Sequence, residues 1–127
     1  MTRGPVADRP PRTDDERAAR RRLVACLHDV RAGTVRCMDA ALVVLRLRDE
    51  VGGVEPDDPD FAAFLLIESE TDDLPRAPDV AHWDPAVLAA REDEFARAED
   101  WARPIARAAC DALLRRFDAD ASPSPSP

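Results

Sequence analysis

Apolar positions in this chain recur at three- and four-residue spacing over long stretches, the pattern of helices that bury one face. The longest stretch runs from Asp84 to Phe117 and predicts one long helix. Asp84 suits an N-cap and Pro85 the first helical position, where a missing N–H costs nothing. Phe95, Ala98, Ala102, Ile105, Ala109 and Ala112 then mark its buried stripe, widened by Trp101, Leu113 and Phe117. So much alanine on one stripe predicts the close approach of another helix. Arg115 and Arg116 fall in the last turn, where positive charge complements the helix dipole. Pro104 removes one backbone bond and predicts a bend near the middle. The pairs Asp93–Arg97, Glu99–Arg103 and Asp111–Arg115 are acid-first and four residues apart, which describes a solvated face.

The N-terminal half carries a second such pattern. Thr13-Asp14-Asp15-Glu16 reads as a capping box, with the threonine oxygen accepting from the Glu16 N–H and Glu16 reaching back. Leu23, Leu27, Val30, Thr34, Met38, Ala41 and Leu45 follow in one helical register that crosses Gly33 unbroken. The spacing predicts one helix to about Glu50, bent at the glycine, with a two-helix hairpin as the alternative. Leu42-Val43-Val44-Leu45 is apolar on all sides and predicts the most enclosed part of the bundle. Gly52-Gly53 ends the segment. Asp58-Pro59 repeats the cap-then-proline start, so a further helix is expected there, burying Phe61, Phe64, Leu65 and Ile67. Pro75 and Pro78 predict an extended connection to Asp84.

These elements define an all-α fold: a bundle of three to four helices, two of them long and antiparallel, with the Pro59 segment packed across them. Residues 1–12 hold Gly4, Pro5, Pro10 and Pro11 and read as a disordered arm; residues 13–118 form a single helical domain. Residues 119–127 read as a disordered serine- and proline-rich tail.

Charge narrows the function classes. The chain of 127 residues has a net charge of −8, which argues against a general nucleic-acid surface and permits a basic partner. Residues 1–22 carry seven arginines against four acids, yet such an arm is read as a solvated lead-in to the first helix. All 18 positive side chains are arginine, a compositional bias without functional content. Cys26, Cys37 and Cys110 include no C-x-x-C pair, and along one helix Cys26 and Cys37 stand about 16 Å apart. All three read as small buried hydrophobes. With no apolar signal region and no span of about 20 apolar residues, a cytoplasmic location without membrane contact is expected.

One segment has a density of acceptors that demands an account: Glu68-Ser69-Glu70-Thr71-Asp72-Asp73-Leu74-Pro75. Like charges at Glu68 and Asp72, and at Glu70 and Asp73, weaken a helix, so the helix is expected to stop inside the box. Thr71 and Asp72 then satisfy backbone groups in the turn. Three readings compete. The structural reading leads: the carboxylates receive arginines, with Arg46, Arg48 and Arg91 as candidates, and pin the connection to the bundle. In the second, an acidic rim meets a basic protein partner. In the third, Glu68, Glu70 and Asp72 or Asp73 hold a hard cation, with His82 as a further ligand, as a metal-binding protein or metal-dependent hydrolase requires. Against a metal stand the missing Glu-x-x-His pairs on facing helices and the missing EF-hand glycine.

Trp83 beside His82 admits a pocket, but a hydrophobic staple of Trp83 on Leu88 is the better reading. His28 lies beside the first stripe as a packing residue. No Ser/His/Asp or Cys/His spacing and no glycine-rich phosphate loop is present, so neither an enzyme nor a cofactor is expected. The expected function is protein–protein interaction, as an adaptor or an immunity-type neutraliser of a basic partner.

Phe61-x-x-Phe64, the run Glu68-Ser69-Glu70-Thr71-Asp72-x-Leu74-Pro75, Trp83, Leu88, and Ala98-Glu99-x-Trp101-Ala102 through Ala109-Cys110 to Phe117 together resemble an uncharacterised bacterial helical family, known only as a domain of unknown function. Its members share an acidic-threonine box before Leu-Pro and an acidic, alanine-rich final helix. The resemblance spans about Leu23 to Phe117 and implies an all-α domain, with no activity and no functional residue to carry over. Asp73 stands where that pattern has a histidine, which counts further against metal or catalysis.

Overall fold

In the computed structural model, which describes residues 9–74 and 83–121 with side chains as far as Asp118, the chain is all-α. Its described helices are α1 (Asp14–Ala32), α2 (Cys37–Glu50), α3 (Pro59–Glu70), α4 (Pro85–Ala90) and α5 (Glu92–Ala121). The two longest, α1 and α5, run antiparallel: Arg20 lies against Phe117, while Arg31 further along meets Asp111. Helix α2 returns beside α1, with Glu50 near its end bonded to Arg22. Helix α3 then rises beside α2 and α5, its start held by Arg116 and the turn after it reaching Arg91. The result is an up-down-up-down four-helix bundle with α4 as a short lead-in to α5.

Two of the expected long helices are broken. The apolar register holds across Gly33, yet the chain turns there, giving the hairpin rather than the bend. Gly33 adopts φ 79°, its N–H donates to Val30 O, and the Thr34 N–H donates to Asp29 O, closing α1 with a left-handed cap. A four-residue turn returns the chain to nearly the same helical phase, so periodicity alone cannot see it. The second break falls at Arg91, which caps α4 before α5 begins at Glu92. Helix α5 passes through Pro104 and continues beyond Phe117 to Ala121. Residues 1–8 and 122–127, which hold most of the expected arm and tail, lie outside the described residues, as do Pro75, Pro78 and His82.

The helix starts are written locally. The Thr13 hydroxyl accepts from the Glu16 N–H at 3.0 Å, Asp58 accepts from the Asp60 N–H at 3.0 Å, and Asp84 accepts from the Ala86 N–H at 2.8 Å. Glu16 does not close the box onto Thr13; its carboxylate instead accepts from the Arg12 N–H and from the Arg9 guanidinium, each at 2.8 Å. Helix α2 has no side-chain cap of its own. Glu99 of α5 supplies it, accepting from the Cys37 N–H at 2.9 Å, and Arg36 lies over the Phe95 ring at 4.8 Å.

Small side chains on α5 let the helices approach closely: Ala102, Ala106, Ala109 and Cys110 are buried beside Leu113 and Phe117. Phe61 meets Phe117 edge-on with centroids 6.4 Å apart, and Phe64, Ile67, Leu23, Leu27 and Val44 fill the space around them. Four expected core residues face outward instead. Leu42 and Val43 of the supposedly most enclosed run, Leu65 and Trp101 are all exposed, because each sits one step off the buried stripe of its helix.

The end of the bundle opposite Gly33 is tied by a buried arginine. Arg20 is 0% exposed. Its Nε donates to Val51 O at 2.8 Å, and Nη2 donates to Arg9 O at 2.8 Å and Gly52 O at 3.0 Å. Its guanidinium lies over the Phe117 ring at 5.2 Å. Gly52 and Gly53 both have positive φ, and a Cβ at Gly52 would collide with the Glu16 carboxylate. The carbonyls that end α2 thus have Arg20 as their donor. Arg20→Met leaves them buried without one, and we expect a loss of about 3 kcal/mol or more in urea denaturation. Arg20→Lys keeps a charge but lacks the planar fork and recovers only part of that loss.

Candidate functional site

The acidic box forms where α3 stops. The Thr71 N–H and hydroxyl both donate to Ile67 O, the hydroxyl at 2.6 Å, and Thr71 O accepts from the Leu74 N–H at 3.0 Å. This tight turn folds inward: Thr71 is 1% exposed and Leu74 6%. The carboxylates lie on the other side. Glu70, Asp72 and Asp73 are exposed and Glu68 is half-buried. The helix therefore ends inside the box, and Thr71 satisfies the backbone there.

The expected arginine bracing differs from what the structure places. Of Arg46, Arg48 and Arg91, Arg91 reaches the box, at 3.9 Å from Asp73. Its closer contacts are both Glu94 carboxylate oxygens at 3.1 Å, and its guanidinium also lies over the half-buried Trp83 ring, 5.6 Å from the centroid. Trp83 is thus stacked with a guanidinium at the start of α4. The hydrogen bond from Arg91 holds the Glu94 carboxyl below its ordinary range. Arg48 lies 3.7 Å from Asp49, and Arg46 makes no ion pair among the described residues. Thr71 and Leu74 anchor the turn, and the carboxylates of Glu70 and Asp72 are left to solvent.

Among the described residues no three His, Cys, Asp or Glu side chains come together as a cation site. The box carboxylates are arranged around the outside of a turn whose inside is filled by Thr71 and Leu74. Burial pushes the Cys26 thiol up to about 11, and Cys37 and Cys110 up to about 12, with the Glu99 hydrogen bond adding to the shift at Cys37. All three are free cysteines; Cys37 and Cys110 are buried and Cys26 half-buried. His28 is exposed, 3.8 Å from Asp118. Clefts between α1 and its neighbours are lined by mixed charge, Asp15, Arg22 and Glu50 in one and Arg31, Asp111, Arg115 and Asp118 in another, away from the box.

Three long-range ties escaped the sequence pattern. Arg116 grips Asp58 with both guanidinium nitrogens, at 2.7 and 2.9 Å, and reaches Asp60 at 2.9 Å. The Arg116 and Asp58 side chains are 8% and 6% exposed. Glu99, read as half of a solvated pair with Arg103, caps α2 and stands 3.9 Å from that arginine. Asp111 pairs with Arg31 across the helix interface at 3.3 Å. Each is visible as a residue type at a helix end or on a helix face; the partner, 56 to 80 positions away, is not.

Comparison with known proteins returned nothing: no family model, no curated protein and no solved structure matches this chain. Among the described residues, no helix is long and apolar enough to cross a membrane.

The Asp58–Arg116 pair makes stability depend on pH. Burial alone would raise the Asp58 carboxyl, but the Arg116 hydrogen bonds and charge, with the Asp60 N–H, override it and hold it below its ordinary value of 3.8. A carboxyl depressed on folding adds stability that is full above its unfolded value and is lost as pH falls through the folded one. Asp58→Asn leaves Arg116 buried without its main counter-charge and is expected to cost about 3–5 kcal/mol at pH 7. In denaturation series the gap to the parent chain should narrow steadily below about pH 4.

Proposed function

We propose that the protein is a cytoplasmic interaction module that docks a basic partner on the carboxylates of the α3-terminal turn. Glu70, Asp72 and Asp73 stand on a turn fixed from within by Thr71 and Leu74, and among the described residues the cation nearest Asp73 is Arg91, at 3.9 Å. The observation that carries the reading is this combination of a rigidly held turn with carboxylates that the bundle does not consume. A rigid turn presents charge without the ordering cost of a mobile loop. The net charge of −8 steers a cationic partner toward the chain and repels nucleic acid. Three free thiols suit a reducing compartment. An adaptor, or a neutraliser of a basic protein, needs nothing more than such a surface. No arrangement among the described residues favours a hydrolytic or metal-dependent reading in its place.

The test is affinity capture with the parent chain, Asp72→Asn/Asp73→Asn, and Glu55→Gln/Asp57→Asn as an acidic control away from the turn. The expected result is a basic partner retained by the parent and the control, weakened at least tenfold by the turn variant, and released by moderate salt. Equal recovery with all three chains would overturn the assignment.

A further inference from the structure

The residues ahead of α1 lie against the turn that ends α2, and Arg9 makes most of the contact. Its guanidinium meets both carboxylate oxygens of Glu16, each at 2.8 Å, with the two side chains 28% and 18% exposed. Gly52 and Gly53 make room for the rest of that side chain. A Cβ at Gly53 would stand 2.6 Å from Arg9 Cγ, and one at Gly52 would stand 2.5 Å from Arg9 Nη2. The glycine that closes α1 is different, since a Cβ at Gly33 would meet nothing within 4 Å. The glycine pair therefore serves the Arg9 side chain as well as the turn.

This slot reads more than charge. The hydrogen bonds from Arg9 and from the Arg12 N–H hold the Glu16 carboxyl down at about 2. The buried Arg20 donates from Nη2 to Arg9 O at 2.8 Å, so side chain and carbonyl of one residue are both taken. Pro10 comes next in the chain. A proline has no N–H to leave unpaired, and it keeps the residue before it extended. Arg9-Pro10-Pro11-Arg12 thus has the sequence of a stiff, extended ligand with an arginine at its head. What holds it is polar: Pro10 is exposed, Pro11 is half-buried, and neither joins the apolar core. Polar ties of this kind exchange for identical ties to a competing chain, with no apolar anchor to be withdrawn first.

We propose that the slot formed by Glu16, Gly52, Gly53 and Arg20 is an arginine-binding site closed in cis by Arg9, and that an extended Arg-Pro segment of another protein competes with Arg9 for it. Thr13 caps α1 only four residues after Arg9, so the strap is tethered at high effective concentration. A free segment competes at a disadvantage until Arg9 is removed. The slot lies at the Asp58 end of α3, the carboxylate turn at the other. It does not rest on the reading given to that turn.

Calorimetric titration of the full chain with the end-blocked peptide Arg-Pro-Pro-Arg tests it, with circular dichroism melts to show that each variant is folded. Arg9→Ala empties the slot and is expected to bind the peptide about tenfold or more tightly than the parent does. Adding Glu16→Gln to that variant, or citrulline in place of the peptide's first arginine, should each weaken binding about tenfold. Adding Asp72→Asn/Asp73→Asn instead should leave it unchanged, which separates this site from the turn. The parent chain gives a measurement that needs no variant. Peptide in the range of tens of millimolar, above the effective concentration of the tether, should displace the strap and shift the Gly52 and Gly53 amide signals in NMR spectra. Glycine signals that stay fixed, a folded Arg9→Ala chain that binds no better than the parent, or binding indifferent to Glu16 and to citrulline would each overturn the proposal. So would binding that disappears with Asp72 and Asp73.

Discussion

A guanidinium with no exposed surface governs how this bundle closes. Arg20 has been taken out of water, and a buried charge is tolerated only when its donors are met. The partners it finds are the carbonyls of Arg9, Val51 and Gly52, which the end of α2 and the segment before α1 leave without helical partners. The requirement is mutual. The paired glycines after α2 adopt positive φ and bring their backbone close to Arg9 and Glu16, and the Phe117 ring forms the floor on which the guanidinium lies. Helix α5 must therefore reach this end in register, and the Arg116 grip on Asp58 and Asp60 fixes α3 at the same level. With an aliphatic and alanine core that offers few large side chains, directional polar ties of this kind specify which ends of the helices meet.

Local chemistry was legible from the sequence wherever it acts within a few residues. Thr13, Asp58 and Asp84 cap the helices they were expected to cap, since each contact spans three positions or fewer. The all-α class followed from the apolar period. What the period could not show was the break at Gly33, because a four-residue turn preserves helical phase to within a fraction of a residue. Leu42, Val43, Leu65 and Trp101 are apolar yet exposed, because apolar identity does not by itself mean burial and a folded surface remains largely apolar. The ties through Arg20, Glu99 and Arg116 join residues 11 to 62 positions apart, and no local rule pairs them.

The acidic box divides along the same line. Its helix stop and its threonine turn are local events and were read correctly. Its bracing by Arg46 and Arg48 required knowing where other helices pass, and α2 carries both arginines elsewhere. The inward residues of the box are Thr71 and Leu74, an uncharged pair, so an acidic segment is fastened by its uncharged members. This leaves the carboxylates of Glu70, Asp72 and Asp73 exposed on a turn whose inner residues are buried.

The cap on α2 bears on how the chain matures during synthesis. Its N-terminal amide at Cys37 is satisfied by Glu99, 62 residues later in the chain. While the polypeptide leaves the ribosome N-terminus first, the α1–α2 hairpin therefore emerges with one end unfinished. Its completion awaits α5, the last of the described helices in chain order. A nascent chain halted before that helix would hold a loose hairpin, susceptible to proteases and to chaperones, and full protection would arrive in one late step.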